Sequence, residues 1–181
     1  MKNFWHLLPV ILFFSQCRNK DENFVSTFPG KPEVPSSIKK EHDNLLEKLY
    51  KFTSINDSTG LAAKKLYNLL QHHFNEEEDY VLPPLGLLPQ LTNGKIPEQT
   101  KNVIALTEKL KSQLSHMSAE HQLIEAYLDE IKQADSNLKY PEIIELEKEI
   151  HKHAKIEEEV LFPASILVGD YLKLKTPNTN R

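Results

Sequence analysis

The sequence predicts an all-α protein, an up-down-up-down four-helix bundle with extra helical segments at one end. Apolar residues recur at steps of three and four in several long stretches, the period of a helix with one buried face. Clusters of proline, glycine and asparagine separate these stretches. Residues 73–83 and 153–163 also repeat each other at an offset of 80 positions. The repeat indicates two similar helical hairpins.

Two helices are predicted before Pro83. The first begins at an N-cap in Ser36-Ser37 and carries apolar residues at helical spacing to about Ile55. The next residues, Asn-Asp-Ser-Thr-Gly, have the composition of a turn. The second helix then starts at about Leu61 and ends at the proline.

A long connection and a long helix follow. Residues 84–96 contain several prolines and glycines and are expected to be irregular. Helical patterning then runs from Pro97 to about Ala134, which corresponds to roughly 55 Å at ~1.5 Å per residue. The second helix is only about 30 Å long by the same rise. We therefore expect the part from about Ser115 onward to pair with the other helices.

A fourth helix is predicted from Pro141 to about Val160, and Pro163 is expected to break it. Residues 164–174 then form a short extra helix. Antiparallel packing of the two hairpins places this helix and the connection of residues 84–114 at the same end of the bundle. We expect both segments to cover that end and to control access to it.

Length and composition fit one helical domain. A chain of 181 residues is large enough for a single core. Its net charge of −4 provides no basic stripe, so nucleic-acid binding is not expected. The single cysteine, Cys17, excludes an internal disulfide framework and a thiolate metal cluster. No Ser-His-Asp arrangement, phosphate loop or zinc-protease motif is apparent, nor the doubled Glu-x-x-His of ferritin-like bundles.

Residues 1–17 predict an export signal of the lipoprotein type. Lys2 supplies a positive start, and the apolar run Leu7–Phe14 is shorter than the about 20 residues that a membrane-spanning helix needs. The sequence before Cys17 resembles a cleavage site at which this cysteine becomes the lipidated first residue, although Gln16 stands where Gly, Ala or Ser is usual. An ordinary cleaved signal or a buried apolar N-terminus is the alternative interpretation.

Three further segments complete the predicted organisation. Residues 18–36 are polar and contain several prolines, as in a flexible tether, residues 37–175 form the bundle, and residues 176–181 form a disordered tail. We therefore expect an exported protein, lipid-anchored to a bacterial membrane and facing the periplasm or the cell exterior.

A histidine followed four residues later by a glutamate occurs once in each hairpin, and each of these pairs is preceded by a Glu-His pair. The two histidines of a hairpin are 31 positions apart in the first and 32 in the second. Residues four apart on a helix share one face, and antiparallel packing brings the two histidines of each hairpin to the same end. The candidate ligands are His42, His73, Glu77, His121, His153 and Glu157.

These residue types in this pattern indicate a metal site. A lone histidine on an apolar stripe is more often an ordinary core residue, but a buried carboxylate is costly without a positive partner, which a metal supplies. Imidazole and carboxylate suit iron, manganese and zinc rather than calcium. Four histidines and two glutamates exceed what one tetrahedral zinc needs. We therefore expect two ions, each with two histidines, bridged by Glu77 and Glu157.

The doubled His-x-x-x-Glu, followed in each copy by a proline six residues later, resembles the hemerythrin-like proteins with a His-His-Glu cation-binding domain. The resemblance covers about residues 37–168. It implies a non-haem di-iron centre, with manganese or zinc less favoured, that reacts with dioxygen, nitric oxide or peroxide. Oxygen-carrying hemerythrins have a fifth histidine where this chain has Glu125, so open coordination positions and redox processing or sensing are favoured over carriage.

Several alternatives stay open. The four-His, two-Glu set also resembles di-iron proteins of iron-sulfur cluster repair, although their cysteine-bearing N-terminal region is missing. Iron storage or donation and a metal-free helical interaction module are the other two hypotheses.

The neighbouring polar residues have plainer expected roles. Glu125 is a candidate additional ligand. Glu78 and Glu158 are expected to be solvated charges or hydrogen-bond partners of ligand histidines. Tyr80 is expected to pack in the core. His72, His116 and His151 are expected to lie off the ligand face.

Overall fold

The computed structural model describes residues 30–135, 137 and 139–176, and all regular secondary structure within them is helical. Residues 1–17 with Cys17, most of the expected tether and the end of the tail lie outside this part. None of the helices in the described part combines the length and the apolar character needed to cross a membrane. The α-helices are α1 (Ser36–Thr53), α2 (Ser58–Glu76), α3 (Leu88–Thr92), α4 (Thr100–Ala134), α5 (Glu142–Ile156) and α6 (Phe162–Lys175).

Shorter helical turns interrupt this series at equivalent places of the repeat. A π-helical turn, Glu77–Val81, follows α2, and another, Glu157–Leu161, follows α5. A 3₁₀ turn, Pro83–Leu87, then leads into α3. Much of the connection that was expected to be irregular is therefore helical, because prolines are tolerated in the first turn of a helix.

The helices α1 and α2 pack antiparallel. Near their connection the rings of Tyr50 and Tyr67 lie 5.5 Å apart, and at the far end His42 reaches Glu78. The Asp57 side chain caps α2 by accepting hydrogen bonds from the backbone N–H groups of Thr59 and Gly60. Gly60 is needed there, because a Cβ atom would lie 1.9 Å from a backbone oxygen of the preceding turn.

Long-range ion pairs show how the other helices pack. Lys132 contacts Glu147 next to the connection of α4 and α5, while His121, in the middle of α4, contacts Glu158 just beyond the far end of α5, so these helices are antiparallel. On the remaining sides, α2 and α4 are linked by Lys65–Glu130, and α1 and α5 by Lys48–Glu149. The second half of α4 therefore packs against α2 and α5.

Three apolar clusters form the core of the described residues; the smallest consists of Leu87, Val103, Val168 and Leu172, and the two larger ones are the basal and apical clusters. The basal cluster, toward the short connections, consists of Leu45, Leu46, Leu49, Ala62, Ala63, Leu66, Leu70, Phe74, Ile124, Leu128, Ile131, Ile143, Leu146 and Ile150. The apical cluster, toward the opposite end, consists of Val34, Tyr80, Val81, Leu82, Leu85, Leu106, Leu110, Met117 and Phe162. Along α4, for example, His121 lies between Met117 and Ile124. A buried polar layer therefore separates the two clusters.

The expected helix break at Pro163 is wrong. Residues 142–175 are helical throughout, and the proline lies in the first turn of α6. The π-helical turn before it makes this possible, because the Phe162 N–H bonds back to the carbonyl of Glu157. Helix α6 then packs closely on α4 at Gly169, where a Cβ atom would lie 1.9 Å from the Thr107 hydroxyl oxygen.

The last part of the expected tether packs on the domain. Lys31 Nζ donates to the carbonyl oxygens of Glu78 and Asp79, at 2.7 and 3.2 Å, and lies 2.9 Å from the Asp79 carboxylate. In the register of this turn the partners of the two carbonyls would be Pro83 and Pro84, which have no N–H, so the lysine takes their place. Val34 is buried in the apical cluster. The ordered domain therefore begins upstream of residue 37.

Candidate metal centre

The structure brings the six expected ligand residues into the buried layer between the two apolar clusters. One histidine comes from each of α1, α2, α4 and α5, and each shared glutamate is the first residue of a π-helical turn. The exposed fractions are 0% for Glu77 and Glu157 and at most 6% for the histidines. Such π-helical turns are often found at functional sites, because they re-aim one side chain without ending the helix.

The six residues form two groups that share both carboxylates. In each group one atom from each residue lies within 4.8 Å of the others. His42 and His153 belong to one group, and His73 and His121 belong to the other. Each histidine is thus paired with one from the other hairpin, which the sequence had left undetermined.

The glutamate oxygens face both groups. Glu157 Oε1 lies 2.9 Å from His153 Nε2, and its Oε2 lies 3.4 Å from His121 Nε2. Glu77 Oε1 lies 3.4 Å from His73 Nε2, and its Oε2 lies 3.6 Å from His42 Nε2. Each carboxylate therefore points one oxygen toward each group, as a bridging ligand does.

The atoms that face the centre are the ones left unsatisfied by the protein. Within the described residues, the buried side-chain atoms without a hydrogen bond of acceptable geometry are His42 Nε2, His153 Nε2 and all four oxygens of Glu77 and Glu157. Unsatisfied buried polar atoms are rare because each costs about 1–3 kcal/mol. Their convergence on one point fits a cation that the protein side chains surround.

The distance between His73 and His121 also fits a metal ion bound between them. Their Nε2 atoms are 3.0 Å apart. Two nitrogens bound to one ion at ~2.1 Å, with a right angle between the bonds, would also be about 3.0 Å apart. The separation therefore suits two neighbouring ligands of one metal ion.

The outer nitrogen of every candidate ligand histidine faces a carboxylate. His42 Nδ1 lies 3.1 Å from Glu78, and His121 Nδ1 lies 2.9 Å from Glu158. These two contacts stay within a hairpin.

The other two contacts cross between the hairpins. His73 Nδ1 lies 2.8 Å from Glu120 on α4, and His153 Nδ1 lies 3.4 Å from Glu41 on α1. The Glu-His pairs of the sequence therefore supply one ligand and one orienting carboxylate each. In the three hydrogen-bonded contacts, those of His42, His73 and His121, the carboxylate holds the N–H at Nδ1, which leaves Nε2 free for a metal.

Neighbouring charges shift the pKa values of the centre in the metal-free protein. Burial opposes the charged imidazole of His42, but the carboxylates of Glu157 and Glu78 outweigh it and raise its pKa to about 9. The pKa of His73 is raised to about 10, because Glu77 and Glu120 outweigh its burial. Burial opposes the charged form of Glu157, but its three histidine neighbours hold its pKa well below the usual range. Protons therefore neutralise the carboxylates when no cation does.

Aromatic rings flank the centre. Phe74 stacks on His42 with ring centroids 3.9 Å apart, and Phe162 lies parallel to His121 at 5.9 Å. These rings belong to the basal and apical clusters. The layer is thus enclosed by apolar side chains above and below, and such surroundings exclude water.

The remaining expected residues lie elsewhere. Glu125 pairs with His151 at 2.8 Å on the surface, so it is not brought to the centre. The Tyr80 hydroxyl contacts the Met117 sulfur at 3.2 Å within the apical cluster, which fits a core residue. Sequence reasoning missed Glu41 and Glu120 as orienting residues, although each directly precedes a candidate ligand histidine.

Comparisons of the chain with protein-family models, curated proteins and solved structures found no match. The geometry itself establishes a buried His/Glu cluster that could hold a metal ion. A donor set of imidazole and carboxylate suits several transition metals and does not specify one.

Proposed function

We propose that the chain is a hemerythrin-like protein that holds two iron ions and binds or redox-processes dioxygen, nitric oxide or peroxide. In this proposal α1, α2, the second half of α4 and α5 form an up-down-up-down four-helix bundle. The antiparallel contacts along all four sides support that arrangement. The single observation that carries the proposal is the pair of His groups sharing two buried carboxylates.

The donor count supports two ions rather than one. Each group offers two imidazole nitrogens and one oxygen from each shared carboxylate. Two carboxylates neutralise only part of the charge of two divalent cations, and the four outer glutamates add negative charge around them. Iron commonly takes up to about six ligands, so four protein donors per ion leave positions for a small molecule.

The surroundings favour a small ligand. Bound iron would supply one-electron chemistry and affinity for diatomic molecules and peroxide. The residues of this chain fix the imidazole orientations through Glu41, Glu78, Glu120 and Glu158. The apolar clusters keep bulk water out, which strengthens the electrostatic interactions inside. Dioxygen and nitric oxide are neutral and cross apolar side chains at little cost.

We place this activity outside the cytoplasm. Support comes from the sequence of residues 1–17, which resembles a lipoprotein signal ending at Cys17. In the proposal, lipidation of that cysteine anchors the protein to a bacterial membrane, and the polar residues after it separate the domain from the surface.

Metal analysis and an absorption spectrum test the proposal. The protein is purified without air, its iron, manganese and zinc contents are measured, and spectra are recorded before and after exposure to air. We expect about two iron ions per chain and a new visible absorption band on oxidation. The His42→Ala/His73→Ala variant should lose iron from both groups. His151→Ala removes an exposed histidine of the same helix as His153, and this variant should retain its iron.

Other results would favour the alternatives. Iron that passes readily to chelators without an oxygen-dependent spectrum would indicate storage or donation. Stoichiometric zinc that is indifferent to air would contradict the redox proposal but not the metal centre. No bound metal, together with normal folding of the double variant, would indicate a metal-free interaction module.

A further inference from the structure

A second cluster of metal-ligating side chains lies on the surface beside the buried centre. His72 and Glu76 are four residues apart on α2, and His116 and Glu120 are four residues apart on α4. His116 Nε2 lies 2.9 Å from Glu76 and 3.7 Å from Glu120. His72 Nε2 lies 3.9 Å from Glu120. Two adjacent helices therefore bring donor atoms of His72, Glu76 and Glu120 close to one another, and His116 lies beside the two carboxylates.

These separations are those of ligands around one ion. His72, Glu76 and Glu120 each offer one atom within 4.8 Å of the others. Donor atoms bound to a single ion at ~2.1 Å are about 3–4 Å apart. The side chains of His72 and His116 are 58% and 43% exposed, so a cation can reach them from solvent.

The cluster on α2 and α4 has no counterpart at the equivalent positions of α5 and α1. Aligning the repeats places Lys152 and Ile156 opposite His72 and Glu76, and Ser37 opposite His116. Glu41, the equivalent of Glu120, still faces its histidine there, at 3.4 Å. A glutamate thus lies beside the histidine in both pairs, whereas the three additional donors occur in one, which points to a separate role for them.

We propose that His72, Glu76, His116 and Glu120 form an outer binding site for one divalent transition-metal cation. Two imidazoles and two carboxylates match the four-coordinate set that zinc and similar ions prefer. Glu120 connects this site to the buried centre, since one oxygen faces the surface cluster and the other contacts His73. The proposal does not depend on which ions the buried centre holds.

Zinc binding to the full chain and its variants tests the outer site. Metal-free wild type, His72→Ala/His116→Ala, His151→Ala and His42→Ala/His153→Ala are dialysed against Zn²⁺, and bound zinc is counted per chain. We expect the first double variant to bind one zinc fewer than wild type. His151→Ala removes a surface histidine that also contacts a glutamate, so it is a matched control and should equal wild type.

The fourth version separates the two sites. His42→Ala/His153→Ala damages the buried centre and leaves the outer donors intact, so adding His72→Ala/His116→Ala to it should still remove one zinc. As a conservative check, Glu76→Gln should weaken the extra zinc without changing the buried stoichiometry. Equal zinc contents with and without His72 and His116, in both backgrounds, would overturn the outer site whatever the buried centre does.

Discussion

His73 and His121 approach each other nitrogen to nitrogen, with their Nε2 atoms 3.0 Å apart in a layer sealed from water. The Nδ1 atoms of both rings face carboxylates, so the Nε2 atoms carry the lone pairs when the rings are neutral. Facing lone pairs repel unless a proton or a cation lies between them. Near neutral pH a proton does so, since the pKa of His73 is raised to about 10. A metal ion can take the place of that proton and also meet the buried carboxylates of Glu77 and Glu157, so the folded state gains from binding it.

Metal should accordingly stabilise the protein. Zn²⁺ or Fe²⁺ added to the metal-free protein should raise the free energy of unfolding by about 2.7 kcal/mol for each occupied site at a free concentration of roughly 100 times Kd. Calorimetry with and without metal measures the change. His42→Ala/His73→Ala removes one histidine from each group and should lose most of it, whereas His151→Ala should keep it. Identical unfolding temperatures with and without metal in the wild type would contradict the prediction.

The orienting carboxylates should tune metal affinity. Glu120→Gln keeps the shape of the side chain but removes the charge next to His73, and we expect affinity at the buried centre to fall by about 10–100-fold. Glu158→Gln should act in the same direction through His121. Glu125→Gln is the matched control, because Glu125 contacts an exposed histidine outside the centre. Competition with a metal-binding dye measures the affinities, and equal values for all three variants would refute the orienting role.

The metal-free protein should become less stable as the pH rises above neutrality. The folded-state pKa values of His42 and His73 are raised from 6.5 to about 9 and about 10 by the neighbouring carboxylates. Their contribution to stability is therefore complete below pH 6.5 and is lost as the pH rises through 9 to 10. Urea unfolding at pH 6.5 and pH 10 checks this, and His73→Asn should flatten the dependence. A metal-free wild type with equal stability at both pH values would contradict it.

Lys31 should matter more than other surface lysines. Lys31→Met removes the ammonium beside the Asp79 carboxylate, which is only 1% exposed, together with a donor to two backbone carbonyls. We expect a loss of about 2 kcal/mol in the free energy of unfolding. Lys39→Met removes an exposed pair with Glu78 and should cost about 0.5 kcal/mol or less. Equal unfolding midpoints for the two variants would show that the contact of Lys31 is not structural.

The sequence predicted which residues converge because helical periodicity shows which side chains face inward, and hairpin topology shows which helix ends lie together. The histidine of each Glu-His pair was predicted as an inward ligand, since its neighbours at helical spacing are apolar. The carboxylate of the pair was missed because it orients a histidine on another helix, as Glu120 does for His73. Which helices face each other across a bundle depends on packing that residue spacing alone does not encode.

Local deviations were harder to predict. A break was expected at Pro163 because proline cannot supply the N–H of a regular α-helical hydrogen bond. A π-helical turn before the proline accommodates it, so the chain stays helical. The tether was inferred from polar and proline-rich composition, and composition does not show that Lys31 would bind two carbonyls left without an N–H partner by Pro83 and Pro84. Both features depend on hydrogen bonds of backbone groups. Every residue carries such groups, so the sequence of side chains gives no direct signal for them.

Each π-helical turn determines how the face of the helix that follows it is rotated relative to the face of the helix that precedes it. Upstream of Glu77 the inward face meets the basal cluster, and downstream Tyr80 and Val81 meet the apical cluster. Removing one residue between Glu78 and Val81 would rotate everything beyond it by about 100°. Changes of length in these turns should therefore abolish metal retention, while same-length changes at an exposed position such as Glu159 should leave the metal content unaltered.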